Sequence, residues 1–567
     1  MTVDLNNLSL EENKLFNDIS IDLKEDFHAL LDRLYDDIDC NIDWLVNSLF
    51  SRNNYFSNIF IDLCYLEFLK RILLMRRIKK VIVCNRSQKS VFKHYCKKND
   101  LDIIIISSES IWKSAINYLI PIKDIMKNFI TSVYMITSKD KNRIIKDYNK
   151  EGIILLDTFI IPSMISNGKY IDRYYGDMIN YLPNDIKKRC YYTPIFTSGI
   201  HIPKFIAPLK ATKKQFIFNF DYLKFSDYLY AILSPLRILN NKIGHYYFNG
   251  YKITAILKSD IYKNLANPAS FQGILNYLFF RRMKLSKVKL KLIIDWFENQ
   301  VVDRGFNKGK SDYYPSSRSI GYAGYIVSNE FYFHHRPTKA ECSYGVIPDK
   351  IAVIGSGLQS DIRKYCSSLK VITAPAFRNK IIDFGEKTYL DKIINNVIIL
   401  AALPVNKDYA RDIILMLNEA LNYKDNNIEK IIINYHPVLK INEIEYLIKD
   451  WDKKYEISSK SFSSLIEKVD IVVSNSSSTC VESIIYSVPV IIVGSRNNVT
   501  QNPIPNAIPR YIWELCYSVE QFNLALKKLV LTVDNNRIRK FNKIAMDVQK
   551  NYFESVSKDS VMKFLQI

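Results

Sequence analysis

Glycine is scarce in this chain, 16 of 567 residues, and histidine scarcer still at 7. So little glycine excludes collagen-like repetition and long flexible linkers. With so few imidazoles, none of them spaced His-x-x-x-His, a zinc site is not expected. The nine cysteines contain no Cys-x-x-Cys pair. That removes zinc ribbons and thioredoxin-like redox motifs and leaves packed, reduced thiols as the expectation. No apolar run approaches the roughly 20 residues a spanning helix needs, the longest falling at 397–405. The first twelve residues lack a basic segment followed by an apolar one, so no secretory leader is expected and the cytoplasm is the expected compartment. Gly355-Ser356-Gly357 lacks the third glycine of a dinucleotide fingerprint. Asp37-Ile38-Asp39 falls in an acidic stretch with helical patterning and reads as solvated charge, so no metal is expected. No internal repeat of solenoid or propeller length is visible.

What is present is a packed globular composition, 48% hydrophobic, 24% charged and 13% aromatic. At 567 residues the chain has room for two or three domains. The formal charge is +21, from 79 Lys and Arg against 58 Asp and Glu. These bases are scattered, with no Arg-rich arm, zinc-finger spacing or helix-turn-helix pattern, so nucleic acid is not the expected partner. The first 45 residues even run acidic, twelve acids against three bases. A diffuse positive exterior suits a phosphate-bearing donor, or peripheral contact with the anionic inner face of the cell membrane.

The patterning predicts an α/β chain. Residues 1–50 read as a helical extension opened by the capping box Ser9-Leu10-Glu11-Glu12. From about residue 55, apolar runs at 80–84, 101–106, 152–161, 215–220, 290–295, 319–327 and 351–355 are strand candidates separated by helical patterns. The stretch 165–290 is rich in Tyr and Lys and gives no clean pattern. Beyond it, strands at 397–403, 430–434, 470–474 and 488–493 alternate with helices at 408–422, 441–451, 461–468 and 478–487, the rhythm of a doubly wound sheet. The expected domains are 1–50, 51–365 and 366–567, two Rossmann-like domains facing a cleft behind the extension.

Two loops lie where an open parallel sheet binds ligands, beyond the carboxyl ends of its strands. Asn434-Tyr435-His436-Pro437 follows one strand, and its imidazole is placed to meet a phosphate while Pro437 stiffens the turn. Ser474-Asn475-Ser476-Ser477-Ser478-Thr479 follows another and opens a helix, so hydroxyls and free N–H groups would face an anion. Glu482, one turn further, is placed to accept ribose hydroxyls. Arg378, in the loop Ala374-Pro375-Ala376-Phe377-Arg378, is a candidate to neutralise a donor carboxylate or phosphate. In Asp295-Trp296-Phe297-Glu298-Asn299-Gln300-Val301-Val302-Asp303-Arg304-Gly305, again after a strand, Glu298 is the first candidate for a general base and Asp303 the second.

The run VDIVVSNSSSTCVESIIYSVPVIIVG at 469–494, with Tyr435-His436-Pro437, resembles the donor half of bacterial GT-B glycosyltransferases. More narrowly it resembles bacterial sialyltransferases, Kdo transferases and related capsule, O-antigen and lipopolysaccharide biosynthesis proteins. The resemblance covers about a third of the chain. It implies a CMP-linked donor held by His436 and by Ser476, Ser477 and Ser478. The segment 295–305 resembles the Trp-Tyr/Phe-Glu-Asn-Gln stretch of bacterial surface-carbohydrate proteins, and Ser319-Ile320-Gly321-Tyr322-Ala323-Gly324-Tyr325 fits the same pattern. One departure stands out: the acidic pair followed by Gly that carries the sialyltransferase base is absent here. The implied activity is an inverting, metal-independent transfer of Kdo, sialic or another nonulosonic acid to a glycan or lipid-linked glycan, with no cofactor beyond the nucleotide-sugar. The alternatives are a CDP-polyol phosphotransferase of the teichoic-acid type and a non-catalytic nucleotide-binding subunit of a glycan assembly complex.

Overall fold

The computed structural model describes residues 1–566 apart from 39–40, 52, 54–56, 141–150, 197–201, 242, 327, 329, 333–335, 380–395, 424–426, 449–452 and 532–533. The extension begins with a strand. β1 (Thr2–Asp4) pairs in parallel with β2 (Lys80–Val83), and β2 with β3 (Ile104–Ser107), in a three-stranded sheet of their own. The run at 80–106 is a βαβ unit, as its spacing implies, but it builds this small sheet instead of joining the larger one. Helices α1 (Leu10–Asp22), α2 (Lys24–Asp37) and α3 (Ile59–Met75) lie between β1 and β2, and α4 (Arg86–Lys98) between β2 and β3. The expected capping box is formed: Glu12 N–H donates to Ser9 Oγ, and Ser9 N–H to the Glu12 carboxylate. Asp37 ends α2, while Asp39 lies outside the described residues. Asn497 of the C-terminal half ties this lobe down, accepting from Leu8 N–H at 2.6 Å and donating its own N–H to Asn13 at 2.8 Å.

α5 (Ile111–Thr137) leads to a seven-stranded parallel sheet made of β4 (Ile153–Ile160), β5 (Cys190–Phe196), β6 (Gln215–Phe216), β7 (Leu290–Trp296), β8 (Arg318–Ala323), β9 (Lys350–Val353) and β10 (Lys370–Thr373). Its order across the sheet is β10-β9-β8-β7-β4-β5-β6. β7 reads Leu-Lys-Leu-Ile-Ile-Asp-Trp, almost continuously apolar, because a parallel strand is covered on both faces. Helices α6 (Phe225–Ile232), α7 (Ser234–Leu239), α8 (Thr254–Lys263), α9 (Pro268–Leu285) and α10 (Val301–Tyr313) complete this half. The unpatterned stretch 165–290 thus carries β5 and β6 together with helices, most of them short.

The third sheet comprises β11 (Val397–Leu403), β12 (Ile428–Tyr435), β13 (Tyr455–Ser458), β14 (Ile471–Ser474), β15 (Val490–Val493) and β16 (Trp513–Cys516), in the order β13-β12-β11-β14-β15-β16. Helices α11 (Lys407–Leu421), α12 (Thr479–Ile485), α13 (Asn535–Tyr552) and α14 (Lys558–Leu565) belong to this half in sequence. The helix expected at 441–451 is two short 3-10 turns over its described part. Numbered within each sheet, both large sheets run 3-2-1-4-5-6, the doubly wound Rossmann order, with β10 as a seventh strand in the N-terminal one.

Two details depart from the expected boundary at 365/366. Lys370–Thr373 is the edge strand of the N-terminal sheet. The chain also crosses back at its end: Gln566 accepts from Arg318 at 3.1 Å and from Lys350 at 2.8 Å, and Glu554 bonds the backbone of Ile354 and Ala376. Here the Gly355-Ser356-Gly357 turn has its explanation. A Cβ on Gly355 would stand 2.3 Å from the Cα of Tyr552, so this glycine admits α13 to the end of β9.

The tightest crossing under the N-terminal sheet is between α9 and α10, where a Cβ on Gly305 would lie 1.9 Å from the carbonyl oxygen of Gly273. Neither backbone can retreat, since both helices pack against buried apolar neighbours. Gly305→Ala is expected to lower unfolding free energy by about 1–3 kcal/mol or more, read from urea titration, whereas Ala at Gly168, where a Cβ meets nothing within 4 Å, strains only the backbone.

Candidate active site

In each large sheet the first and fourth strands are neighbours, and the crossovers leave them in opposite directions. Their carboxyl ends therefore open a crevice. In the N-terminal sheet the pair is β4 and β7. β7 runs out through Trp296 into Phe297, Glu298 and Asn299, and Asn299 turns the loop at φ +54°, a left-handed conformation that asparagine tolerates. α10 then starts, with Gln300 as its N-cap.

Glu298 sits partly exposed at the mouth of this crevice, one oxygen accepting from Trp296 Nε1 at 2.8 Å. The Trp296 indole is fully buried, edge-on to Tyr174 at 4.4 Å, and carries the Arg378 guanidinium over its ring at 5.4 Å. The downstream glycine pattern serves this loop. A Cβ on Gly324 would lie 2.5 Å from the Trp296 ring, one on Gly321 would lie 2.9 Å from Phe297, and Tyr325 OH donates to Phe297 O at 2.9 Å. The two resemblance segments are thus the two sides of one contact.

Asp303, the second candidate base, is fully buried behind Glu298, where its Oδ2 accepts from Glu298 N–H at 2.9 Å and Gln300 N–H at 2.8 Å. It caps α10 and holds the Glu298 loop. Such a carboxylate has no reach to an acceptor hydroxyl, which leaves Glu298 as the partly exposed carboxylate of this loop. Arg304 is buried too, bonded to Glu341 and the Tyr35 hydroxyl.

Beneath Glu298 is a cluster that the sequence reading missed. Carboxylate oxygens of Asp157, Asp295 and Asp303 lie within 4.8 Å of one another, and all three side chains are fully buried. Asn307 donates to Asp295 at 2.6 Å. Burial pushes all three carboxyls well above the usual carboxylate range, and each is raised further by the charge of a neighbour in the cluster. Among the described residues this is the group with the spacing to hold a hard cation. The available signal was an Asp in the middle of an apolar strand, at Asp157.

On the facing side, His436 follows β12, its backbone N–H donating to Leu403 O at 3.0 Å. Its Nδ1 accepts from Val438 N–H at 3.2 Å, so the neutral ring carries its proton on Nε2. The surrounding protein lowers the imidazole pKa, Arg378 and Arg173 lower it further, and Glu298 opposes them. Arg378 lies over the Trp296 ring that holds Glu298, and the neighbouring Asn379 donates to Glu482 of the C-terminal half, so the carboxyl ends of the two sheets face each other here. Pro437 is exposed in this turn.

In the C-terminal sheet the switch point is β11 and β14, joined at their ends by Ser474 Oγ donating to Ala402 O at 2.6 Å. Asn475 is fully buried: its Nδ2 donates to Tyr409 O at 3.1 Å and its Oδ1 accepts from Ser476 N–H at 2.6 Å. It shapes the loop from inside and does not face the crevice, because both ends of its amide are engaged. Ser476, Ser477 and Ser478 are partly exposed; Thr479 donates to the Ser477 hydroxyl, and the Ser478 hydroxyl makes no cap bond. Glu482 accepts from Asn379 at 2.5 Å, and burial raises its carboxyl to about 7 against the pull of Arg378. Arg173, Tyr174 and Asn379 join the site without having been foreseen.

No protein-family model matches the chain, and no curated protein matches it. Among solved structures it is similar to the N-terminal domain of Candida albicans trehalose-6-phosphate phosphatase, at 12% identity over 74% of this chain and 97% of that one, TM-score 0.41. It is also similar to the apo form of the lipopolysaccharide outer core galactosyltransferase WaaB, at 11% identity over 73% and 99%, TM-score 0.42. A third is S. aureus MnaA with UDP, at 12% identity over 72% and 94%, TM-score 0.39. The fold assignment stands on the strand order itself: two Rossmann-like domains facing across a crevice, the GT-B arrangement.

The raised carboxyls set a pH dependence. Asp157, Asp295, Asp303 and Glu482 keep protons in the folded state that the unfolded chain releases in the ordinary carboxylate range. Their stabilisation is complete below that range and is lost as pH rises through the folded values. Thermal melts should therefore give a lower Tm at pH 8 than at pH 5.5. Asp157→Asn should raise Tm at pH 8 and raise it less at pH 5.5, where the unfolded carboxyl has already lost its proton but the proton costs less to keep; an equal shift at both pH values would show that the cluster is ionised throughout.

Proposed function

We propose that this protein is an inverting glycosyltransferase that moves a sugar from a CMP-linked donor, Kdo or another nonulosonic acid, to a glycan acceptor. The observation that carries the reading is the convergence of Glu298, Arg378 and His436 where the carboxyl ends of two Rossmann-like sheets meet. The sequence resemblance supports it independently through the His-Pro and serine motifs.

In this reading the donor phosphate lies against the C-terminal wall. His436, neutral near pH 7 because its pKa is lowered, donates from Nε2 while Nδ1 is held by Val438. Ser476, Ser477 and Ser478 add hydroxyl contacts, and Arg378 supplies the fixed positive charge. Glu482, half-protonated near pH 7, meets the ribose hydroxyls as acceptor or donor. The acceptor hydroxyl approaches from the N-terminal wall, where Glu298 takes its proton as the oxygen bonds to the anomeric carbon and the sugar–phosphate bond breaks. The electrons of that bond leave on the nucleotide phosphate, whose developing charge His436 and Arg378 stabilise. Trp296 fixes the Glu298 carboxylate through its indole N–H, and Asp303 fixes the loop that carries it. The basic exterior fits an acceptor carried at an anionic membrane face.

CMP, CDP, UDP, GDP and ADP should be compared by thermal shift on the wild type and His436→Ala, since a ligand bound only by the native state raises its stability. CMP should stabilise the wild type and lose most of that effect in the variant. Selective stabilisation by UDP or GDP would overturn the CMP-linked donor, and no response to any nucleotide would overturn the transferase reading. With a turning-over donor, Glu298→Gln should lower kcat about 10²–10⁴-fold with little change in donor KM. Phosphorus appearing in the acceptor product would instead identify a polyol-phosphate transfer.

A further inference from the structure

The helix α5 is built inside out. Its inward positions carry Asp124, Asn128 and Ser132, all at least nine-tenths buried, alongside the buried apolar Pro121 and Met135. Asn128 donates to Ala266 O at 2.9 Å, and Ser132 to Asn128 O at 2.8 Å. Beneath the helix lies a polar cavity of about 290 Å³, lined by Asp62, Asp124 and Asp260 among others. The outward positions are apolar: Trp112 is 81% exposed, Ile116 61%, Leu119 59%, Met126 61% and Phe129 60%, with Val133 following. These recur at intervals of three, four or seven residues, one continuous stripe on a helix about 40 Å long. α6 packs against α5, and α6 and α7 carry the exposed apolar Phe225 and Leu236, 73% and 63% exposed. A surface helix in water has the opposite arrangement, and monomeric proteins rarely leave so large an apolar surface open.

We propose that this face docks on an anionic lipid bilayer, α5 lying in the interfacial plane with its apolar stripe among the acyl chains. No helix of the described residues is long and apolar enough to cross a membrane. The occupant follows from charge. Lys123 and Lys127 are exposed on α5, and its one acid, Asp124, is turned inward and paired with Lys127 at 3.2 Å. Lysines without exposed acids on the helix repel a second copy of themselves and complement an anionic headgroup layer. The chain as a whole carries +21. This surface owes nothing to the donor chemistry of the crevice and stands whether or not that reading holds.

Co-sedimentation with vesicles of phosphatidylcholine alone, and of phosphatidylcholine with phosphatidylglycerol at roughly 2:1, tests it on the full chain. The wild type should partition onto the anionic vesicles and at least tenfold less onto the neutral ones. Ile116→Glu/Met126→Glu/Phe129→Glu changes only exposed side chains, so its circular dichroism melt should be unchanged while partitioning falls at least tenfold. If that variant does not fold, the wild type still decides: its tryptophan emission should shift blue with anionic vesicles, and Trp112→Phe should remove the shift. Absence of binding to anionic vesicles, binding that the triple substitution leaves intact, or a lipid-free dimer that the substitution splits would each overturn the proposal, the last assigning the face to a second copy.

Discussion

Parallel strands can be joined only by crossovers, and crossovers of one hand force the chain to reverse its direction of travel across the sheet if both faces are to be covered. At the point of reversal two adjacent strands send their following loops to opposite sides, and a crevice is left between them. This constraint operates twice here, at β4/β7 and at β11/β14. Glu298 and the buried aspartates belong to the first crevice, the serine loop to the second. The C-terminal crossing, made possible by Gly355, ties one sheet to the other so that the two crevices become one site.

The electrostatics of that site follow from its depth. Low dielectric makes an unpaired buried charge costly, so the neighbouring buried carboxylates are pushed toward their protonated forms, while two arginines near the exposed His436 help lower its pKa. The carboxylates and the arginines are not mixed at random. Asp157, Asp295 and Asp303 lie below the Glu298 loop, while Arg173 and Arg378 act across the crevice on His436. Carboxylates and arginines thereby lie on different sides of the crevice, with Trp296 touching both, its indole N–H on Glu298 and its ring under Arg378.

The loops of the candidate site were legible because their signals are local. A His-Pro turn and a serine run each followed a recognisable apolar strand, and Glu298 followed a third. Asp303 and Asn475 were read as site residues from the same local placement, yet both are buried in the loops they support. Linear position tells which loop a residue is in, not which side of the loop it occupies. Asp157 and Arg173 could not be joined to Glu298 at all, since more than a hundred residues separate them and only the pairing of β4 with β7 brings them together.

The sequence by itself determined the alternation of strands and helices in the C-terminal third, the capping box at Ser9 and the loops that carry His436 and the serines, because each depends on neighbours within a few positions. The tertiary structure decided which strands share a sheet, which acids are buried together and which face of α5 is turned inward. The reason is the same in all three: periodicity specifies that an element has two faces, but burial is a property of what packs against them. In α5 the inward positions 124, 128 and 132 are polar and part of what they face is a polar cavity, so the apolar stripe that a pattern alone would assign to the core is left on the outside.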